Sequence, residues 1–352
     1  MEKLENPLPF HFICGTRPKH AEQKHLWTAA DGGCKGKKSM ADLISYVIRK
    51  ILLAIPVILL ATFIVFLMLY LTPGDPIVNI LPPHASPDDI QKLREKYGFD
   101  QPFIVQYGKF LYRLAQGDLG QSVSRQTLNL DVSDLIIQRL PKTLELMAIG
   151  LTISYSLGIP LGVYSALKQN SWKDRSVMVF TLVAYAMPSF WLGILLMLLF
   201  AVYLGWLPIE GTVGGFKSII LPAMTLGLGN AALTTRMMRS SMLEVQRQDY
   251  ITQLRSRGLP ESEVIFKHAL KNAMLPVITV IGLDIGWFVA GAVVVETVFS
   301  WPGLGLLVTN SITNYDYPTV QGCILVLAMF VVLGNLVADI LYAFVDPRVR
   351  LG

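Results

Sequence analysis

Charge is scarce in this sequence. Asp, Glu, Lys and Arg make up 16% of its 352 residues, against about 25% in a typical soluble domain. Hydrophobic residues reach 53%, and the mean hydropathy is +0.49. This composition excludes an ordinary soluble domain and predicts an all-α protein that crosses the membrane several times. Cysteine is scarce too. Two of the three, Cys14 and Cys34, lie in the first 39 residues with His11, His20 and His25. Their spacings match no paired zinc-ligand pattern, so no metal site is expected. A phosphate-binding loop is missing. Asp31-Gly32-Gly33-Cys34-Lys35-Gly36-Lys37-Lys38-Ser39 imitates one, but its first glycine stands at the wrong distance and no strand precedes it. The chain is therefore expected to bind no cofactor and to be no ATPase.

Long apolar runs are abundant. A hydrocarbon core about 30 Å thick takes roughly 20 apolar residues per helix, and six stretches meet that need: 51–71, 146–167, 176–207, 218–235, 272–295 and 318–344. The third is long enough to be tilted, or broken near Pro188 or Gly205. Arg49 and Lys50 precede the first, and no small-residue cleavage site follows it, as in an uncleaved signal anchor. Residues 72–141 form a long outer segment with eight acids against seven bases. Segments of that length escape the charge rule for orientation. The short loops do not: Lys168, Lys173 and Arg175 mark an inner turn, whereas the outer loops carry Lys217 and, between Glu296 and Tyr317, no base at all. Six spans with both termini cytoplasmic satisfy this pattern. Residues 1–39 read as a disordered extension, with the working membrane domain at 40–352 beginning near Met40.

Between the fourth and fifth spans lies a basic insert, 236–271, with seven of the chain's Lys and Arg residues. It reads as a cytoplasmic pair of short helices. Met238, Met242, Val245, Ile251 and Leu254 form one apolar stripe, Gly258 stops the first helix, and Pro260 opens the second. Glu261 and Glu263 in its first turn and Lys267 and Lys271 in its last complement the helix dipole.

Asp249-Tyr250-Ile251 through Arg255-Ser256-Arg257-Gly258-Leu259, then His268-Ala269-Leu270-Lys271-Asn272-Ala273, resemble the cytoplasmic loop of ATP-binding-cassette importer permease subunits, in the wording of the oligopeptide/dipeptide/nickel branch. Thr252, Gln253 and Leu254 stand where that family has Glu-Ala-Ala, and Leu254 is bulkier than the alanine it replaces. The outer segment is similar to the same branch at Pro73-Gly74-Asp75-Pro76, Tyr97-Gly98-Phe99-Asp100, Gly117-Asp118-Leu119-Gly120 and Arg139-Leu140-Pro141, with Asp131-Val132 where Pro-Val is usual. So are the outer-edge run Glu296 to Gly305, containing Phe299, Pro302 and Gly303, and the tail Asp346-Pro347-Arg348-Val349-Arg350.

The resemblance covers roughly 40–352. It implies the six-helix type I (MetI-like) importer permease fold in the bacterial inner membrane. It also implies a second homologous permease, two cytoplasmic ATPases that bind ATP and Mg, and a periplasmic solute-binding protein. Asp249, Tyr250, Leu254, Arg255, Arg257, Gly258, Leu259, His268, Leu270 and Asn272 would then form the ATPase-coupling hairpin. The expected cargo is a peptide.

Two acids fall inside spans, where an ionisable group is costly and marks a candidate site. Asp284 is a candidate for the translocation path; Asp339 is read as structural. Other function classes fare worse. A secondary transporter or channel would leave the basic insert unexplained and commonly shows inverted repeats, which are not evident here. An aspartyl protease using Asp284 and Asp339 lacks the flanking motifs. Nucleic-acid binding by 246–271 lacks a supporting third helix and is pinned at the bilayer at both ends.

Overall fold

A computed structural model describes residues 40–72, 77, 86–209, 211 and 214–345. Residues 1–39, the Pro73–Pro76 motif and the tail motif at 346–350 lie outside the described residues. The chain divides into two units, Met1–Tyr46 and Val47–Gly352. Of the first, only the helical backbone of 40–46 is described; the packing and the site belong to the second.

The described secondary structure is helical apart from one isolated bridge between Gln121 and Asp131. Helix α1 (Met40–Leu71) is the first span. Helices α2 (Pro87–Tyr97) and α3 (Phe103–Ala115) follow. Helix α4 is Val132–Leu167, and α5 (Trp172–Ala186) and α6 (Ser189–Leu196, wound on as a π-helix over Met197–Tyr203) make the third span. Helix α7 is Phe216–Gln246, α8 is Asp249–Ser256, and α9 is Glu261–Val298. Helices α10 (Leu304–Thr313) and α11 (Tyr317–Val345) complete the set.

Five helices are long and apolar enough to cross a membrane, or six when α5 and α6 count as one span bent by 109°. The bend falls at Met187-Pro188: Pro188 has no amide hydrogen for the helical ladder and biases the preceding residue to extended backbone, and Met187 takes ψ 131°.

Helix α4 starts earlier than its apolar run. Residues 132–141, assigned from the sequence to the outer segment, are its first turns, and Pro141 and Pro160 are accommodated within it. Helices α4 and α7 pack closely because small residues meet. A Cβ on Gly158 would come within 2.7 Å of the Thr234 Cβ, and one on Gly162 within 2.6 Å of the Met238 Cβ. Helices α9 and α11 meet in the same way, Gly282 against Ala338 and Gly334 against Ile285.

Three apolar clusters follow from these contacts. A central one joins Leu146, Ile219, Leu226, Phe288, Val295 and Trp301. A second, at the end carrying the hairpin, gathers Met238, Met242, Ile251, Val264, Ala269 and Val277. A third joins the start of α4 to α10 and α11 through Val132, Ile136, Leu304, Val308 and Cys323.

Candidate functional site

The hairpin is built differently from the simple pair of helices expected. Met238, Met242 and Val245 are the last turns of the long helix α7, and the chain breaks at Arg247-Gln248, where Gln248 is extended (ψ 145°). Helix α8 then carries Asp249, Tyr250, Leu254 and Arg255. Stripe members on both sides of the break still meet in one core, where Ile251 is fully buried and Tyr250, Leu254, Leu259 and Leu270 pack around it. Gly258 ends α8 at φ +80°, a left-handed conformation that costs a side-chain-bearing residue about 1–2 kcal/mol.

Polar bonds brace the turn. Arg255 donates twice to Glu261, Nε to Oε2 at 3.1 Å and a terminal nitrogen to Oε1 at 2.6 Å. This contact holds the Arg255 guanidinium above and the Glu261 carboxyl below their ordinary ranges. Asn272 Nδ2 donates to the Tyr250 hydroxyl at 2.6 Å, tying the two arms together. Ser241 Oγ donates to the Ala273 carbonyl at 2.8 Å, tying α7 to α9.

The outward surface of the hairpin is mixed. Arg257, Gly258 and Lys271 are exposed, and Phe266 projects at 61% exposure between Ile265 and Lys267. His268 is half-buried on the second arm. The arrangement is a braced, partly apolar knob.

Just behind the knob is a charged pair that sequence reasoning missed. Arg239 on α7 grips Asp174 at the start of α5 with two bonds of 2.7 Å, Nε to Oδ1 and a terminal nitrogen to Oδ2. Asp174 is buried and also accepts from the Ser165 hydroxyl and from the Asn170 amide at 3.0 Å. The turn between α4 and α5 is thus locked to the helix that leads into the hairpin. Ser171 spaced three before Asp174 is a helix-start signal, and the Ser171 side chain accepts from the Asp174 amide. Nothing local points to Arg239.

At membrane depth, Asp284 is 5% exposed. It accepts from the Tyr155 hydroxyl and from Asn230 Nδ2 at 2.8 Å, and Asn230 in turn contacts Ser154 Oγ at 3.1 Å. Three helices, α4, α7 and α9, therefore converge on one carboxyl group. Asp339 forms an ion pair with Lys50 at 2.9 Å, joining α11 to α1.

The outer-edge motif folds around Glu296, which is fully buried. Its Oε2 accepts from the amides of Gly305 at 2.6 Å and Leu306 at 3.3 Å. A Cβ on Gly303 would overlap that carboxylate, which explains the glycine. Trp301 Nε1 donates to the Lys142 carbonyl at 3.0 Å, and Thr143 Oγ1 accepts from the Leu304 amide at 2.8 Å, so the turn containing Phe299 and Pro302 is clamped to α4. A second clamp was not foreseen. Asp316 accepts from Ser122 Oγ at 2.5 Å, Thr319 Oγ1 at 2.7 Å and the Val123 amide at 3.1 Å, fixing the loop before α4 to the turn before α11.

Five helices long and apolar enough to cross a membrane, or six with the sharply bent pair, and a braced helical hairpin between α7 and α9 define the class: an integral membrane protein of the MetI-like fold. The fold is shared with the inward-facing MetNI methionine ABC transporter, at a TM-score of 0.53 and 18% identity over 60% of this chain and 96% of that one. The chain belongs to the family described as binding-protein-dependent transport system inner membrane component, whose profile matches residues 158–351, with the companion N-terminal region matching 43–147. It is 42% identical over 315 residues to the oligopeptide transport system permease protein AppB of Bacillus subtilis (strain 168), spanning 87% of this chain and 99% of that protein. It is 40% identical to the dipeptide transport system permease protein DppB of Alkalihalophilus pseudofirmus, over 88% of this chain and all of that one. The protein is thus a multi-pass inner-membrane permease subunit, and its family is a membrane component rather than an ATPase.

Proposed function

We propose that this chain forms one half of the translocation path of a peptide importer and couples that path to separate ATPase subunits through the hairpin at 249–271. The observation that carries the cargo class is identity of about 40% over essentially the whole length of oligopeptide and dipeptide permeases. A braced hairpin with Phe266 exposed on its second arm, rooted in the core between α7 and α9, supports the coupling role, since a rigid insert can pass displacement on to the spans it joins.

In this reading both termini and the hairpin face the cytoplasm, where the inner turns carry the positive charge. A second, homologous permease completes the path, a periplasmic binding protein delivers solute, and two ATPases bind ATP and Mg. Asp249, Tyr250, Arg257, Gly258, Leu259 and His268 lie on or beside the docking surface, and Arg255 and Asn272 brace it. Asp284, shared by three helices, is the candidate residue of the translocation path.

Co-purification tests the coupling role. A Cβ added at Gly258 meets nothing within 4 Å but must take φ +80°, so Gly258→Asp strains the turn by about 1–2 kcal/mol and puts a charge on the proposed contact, and Gly258→Asn, with the same strain and no charge, is its control. Wild type should bring down ATPase subunits and a second permease. Gly258→Asp should lose the ATPases and keep the permease; retention of the ATPases would overturn the docking assignment.

A further inference from the structure

The segment between α1 and α4 carries eight acids and seven bases over 72–141, yet one of its helices lies against the span. Residues 51–71 of α1 measure roughly 31 Å at 1.5 Å per residue, about the thickness of the hydrocarbon core. Helix α3 packs on the outer half of this stretch. Phe103 makes ring contacts with Phe63, Phe66 and Tyr70, Tyr107 with Phe63 and Phe66, and Phe110 with Phe66. The Tyr107 hydroxyl reaches the Leu59 carbonyl at 3.0 Å. Leu59 lies twelve residues from the end of α1, roughly 18 Å below it along the helix axis.

The sides of α3 match that depth. Phe103, Tyr107 and Phe110, at helical spacing, face α1. Gln106, Lys109 and Arg113 lie together on another side and line a cavity of about 1220 Å³, whose other walls come from α1, α2, the loop before α4 and the start of α11. The third side carries Ile104, Gly108, Leu111 and Ala115, entirely apolar, with Ile104 70% exposed. This side is continuous with the bare flank of α1, where Leu60, Ile64, Met68 and Leu71 are also exposed.

We propose that α3 is inserted in the outer leaflet, with the Ile104 and Leu111 side against lipid acyl chains and the Lys109 and Arg113 side against a water-filled vestibule. The occupant of the apolar side is the bilayer, because the surface joins the lipid-facing flank of a helix already required to cross it. A helix with one broad apolar arc and a narrow basic stripe is the kind that lies at a membrane boundary. The Tyr107 hydroxyl obeys the same logic, since a polar group at that depth needs a protein acceptor. The membrane-facing assignment does not depend on which solute is carried.

Spin labels test it in the assembled complex, reconstituted in liposomes, with Cys14, Cys34 and Cys323 replaced. Labels are placed singly by Ile104→Cys, Leu111→Cys and Lys109→Cys, and their collisions with oxygen and with a water-soluble nickel chelate are compared. Ile104 and Lys109 are exposed and Leu111 is half-buried, and co-purification of the partner subunits verifies assembly. The proposal expects the first two labels to favour oxygen several-fold over the chelate, and the Lys109 label to favour the chelate. Chelate access at Ile104 and Leu111 would place α3 in the periplasm and overturn it. Exclusion of both reagents there would also overturn it, by showing a protein partner on that side.

Discussion

Replacing Gly162 by alanine probes the packing on which the helix arrangement depends. The added Cβ would lie 2.6 Å from the Met238 Cβ and 2.7 Å from the Thr235 carbonyl oxygen. One of these neighbours is backbone, so the helices must separate rather than a side chain rotate. Overpacking of this kind costs about 1–3 kcal/mol. Alanine recovers up to about 1 kcal/mol of helix propensity, leaving a net destabilisation of about 1–2 kcal/mol, or roughly a tenfold rise in the unfolded-to-folded ratio. Gly229→Ala is the control. It lies on the same helix pair, but its added Cβ meets nothing within 4 Å, so it should be neutral or stabilise by about 0.5–1 kcal/mol. Titrating the purified protein from mild detergent into a denaturing one, followed by circular dichroism, gives both values. Equal effects from the two substitutions would refute the close approach of α4 and α7.

Asp174→Ala strips a buried carboxylate from Arg239 and should cost about 3 kcal/mol, the low end for a broken buried pair because Arg239 is partly exposed; the same titration reads it, and a loss under about 1 kcal/mol would mean that the pair is solvated. Arg239→Lys should recover only part of the stability, since an ammonium cannot make the two-pronged contact. Arg255→Ala should change stability by less than about 1 kcal/mol, because the Glu261 pair is exposed; any loss of ATPase co-purification then reflects docking. Gly303→Ala should unseat the turn around Glu296 and expose Trp301, seen as a red shift of tryptophan emission. Asp284→Asn keeps the shape of the Tyr155–Asn230 contact and removes its charge. Unchanged uptake and unchanged solute preference would eliminate Asp284 from the path.

Apolar length is the most legible feature of this chain. An apolar run of about 20 residues has one economical solution, a helix across the bilayer; five of the six runs lie within single described helices, and the third, 176–207, is split between α5 and α6 and leaves the helix after Tyr203. Helix ends were less legible. Pro141 reads as a boundary because proline costs a ladder hydrogen bond, yet α4 begins at Val132 and passes through it. The stripe from Met238 to Leu254 reads as one helix because periodicity does not register a single extended residue, and Gln248 is that residue. The partners of the membrane-depth acids were invisible for a different reason. Tyr155 and Asn230 stand 129 and 54 residues from Asp284, and no local pattern links positions so far apart. The same holds for α3: its alternating polar and apolar sides are present in the sequence, but the depth at which it lies comes from the contact between Tyr107 and Leu59.

The most direct test of the central claim is uptake of a labelled short peptide into proteoliposomes containing the complex purified through this chain, with the binding protein supplied outside and ATP inside. The account predicts uptake that requires both ATP and the binding protein and that is abolished by Gly258→Asp. Uptake by this chain alone, driven by an ion gradient without ATP, would contradict it.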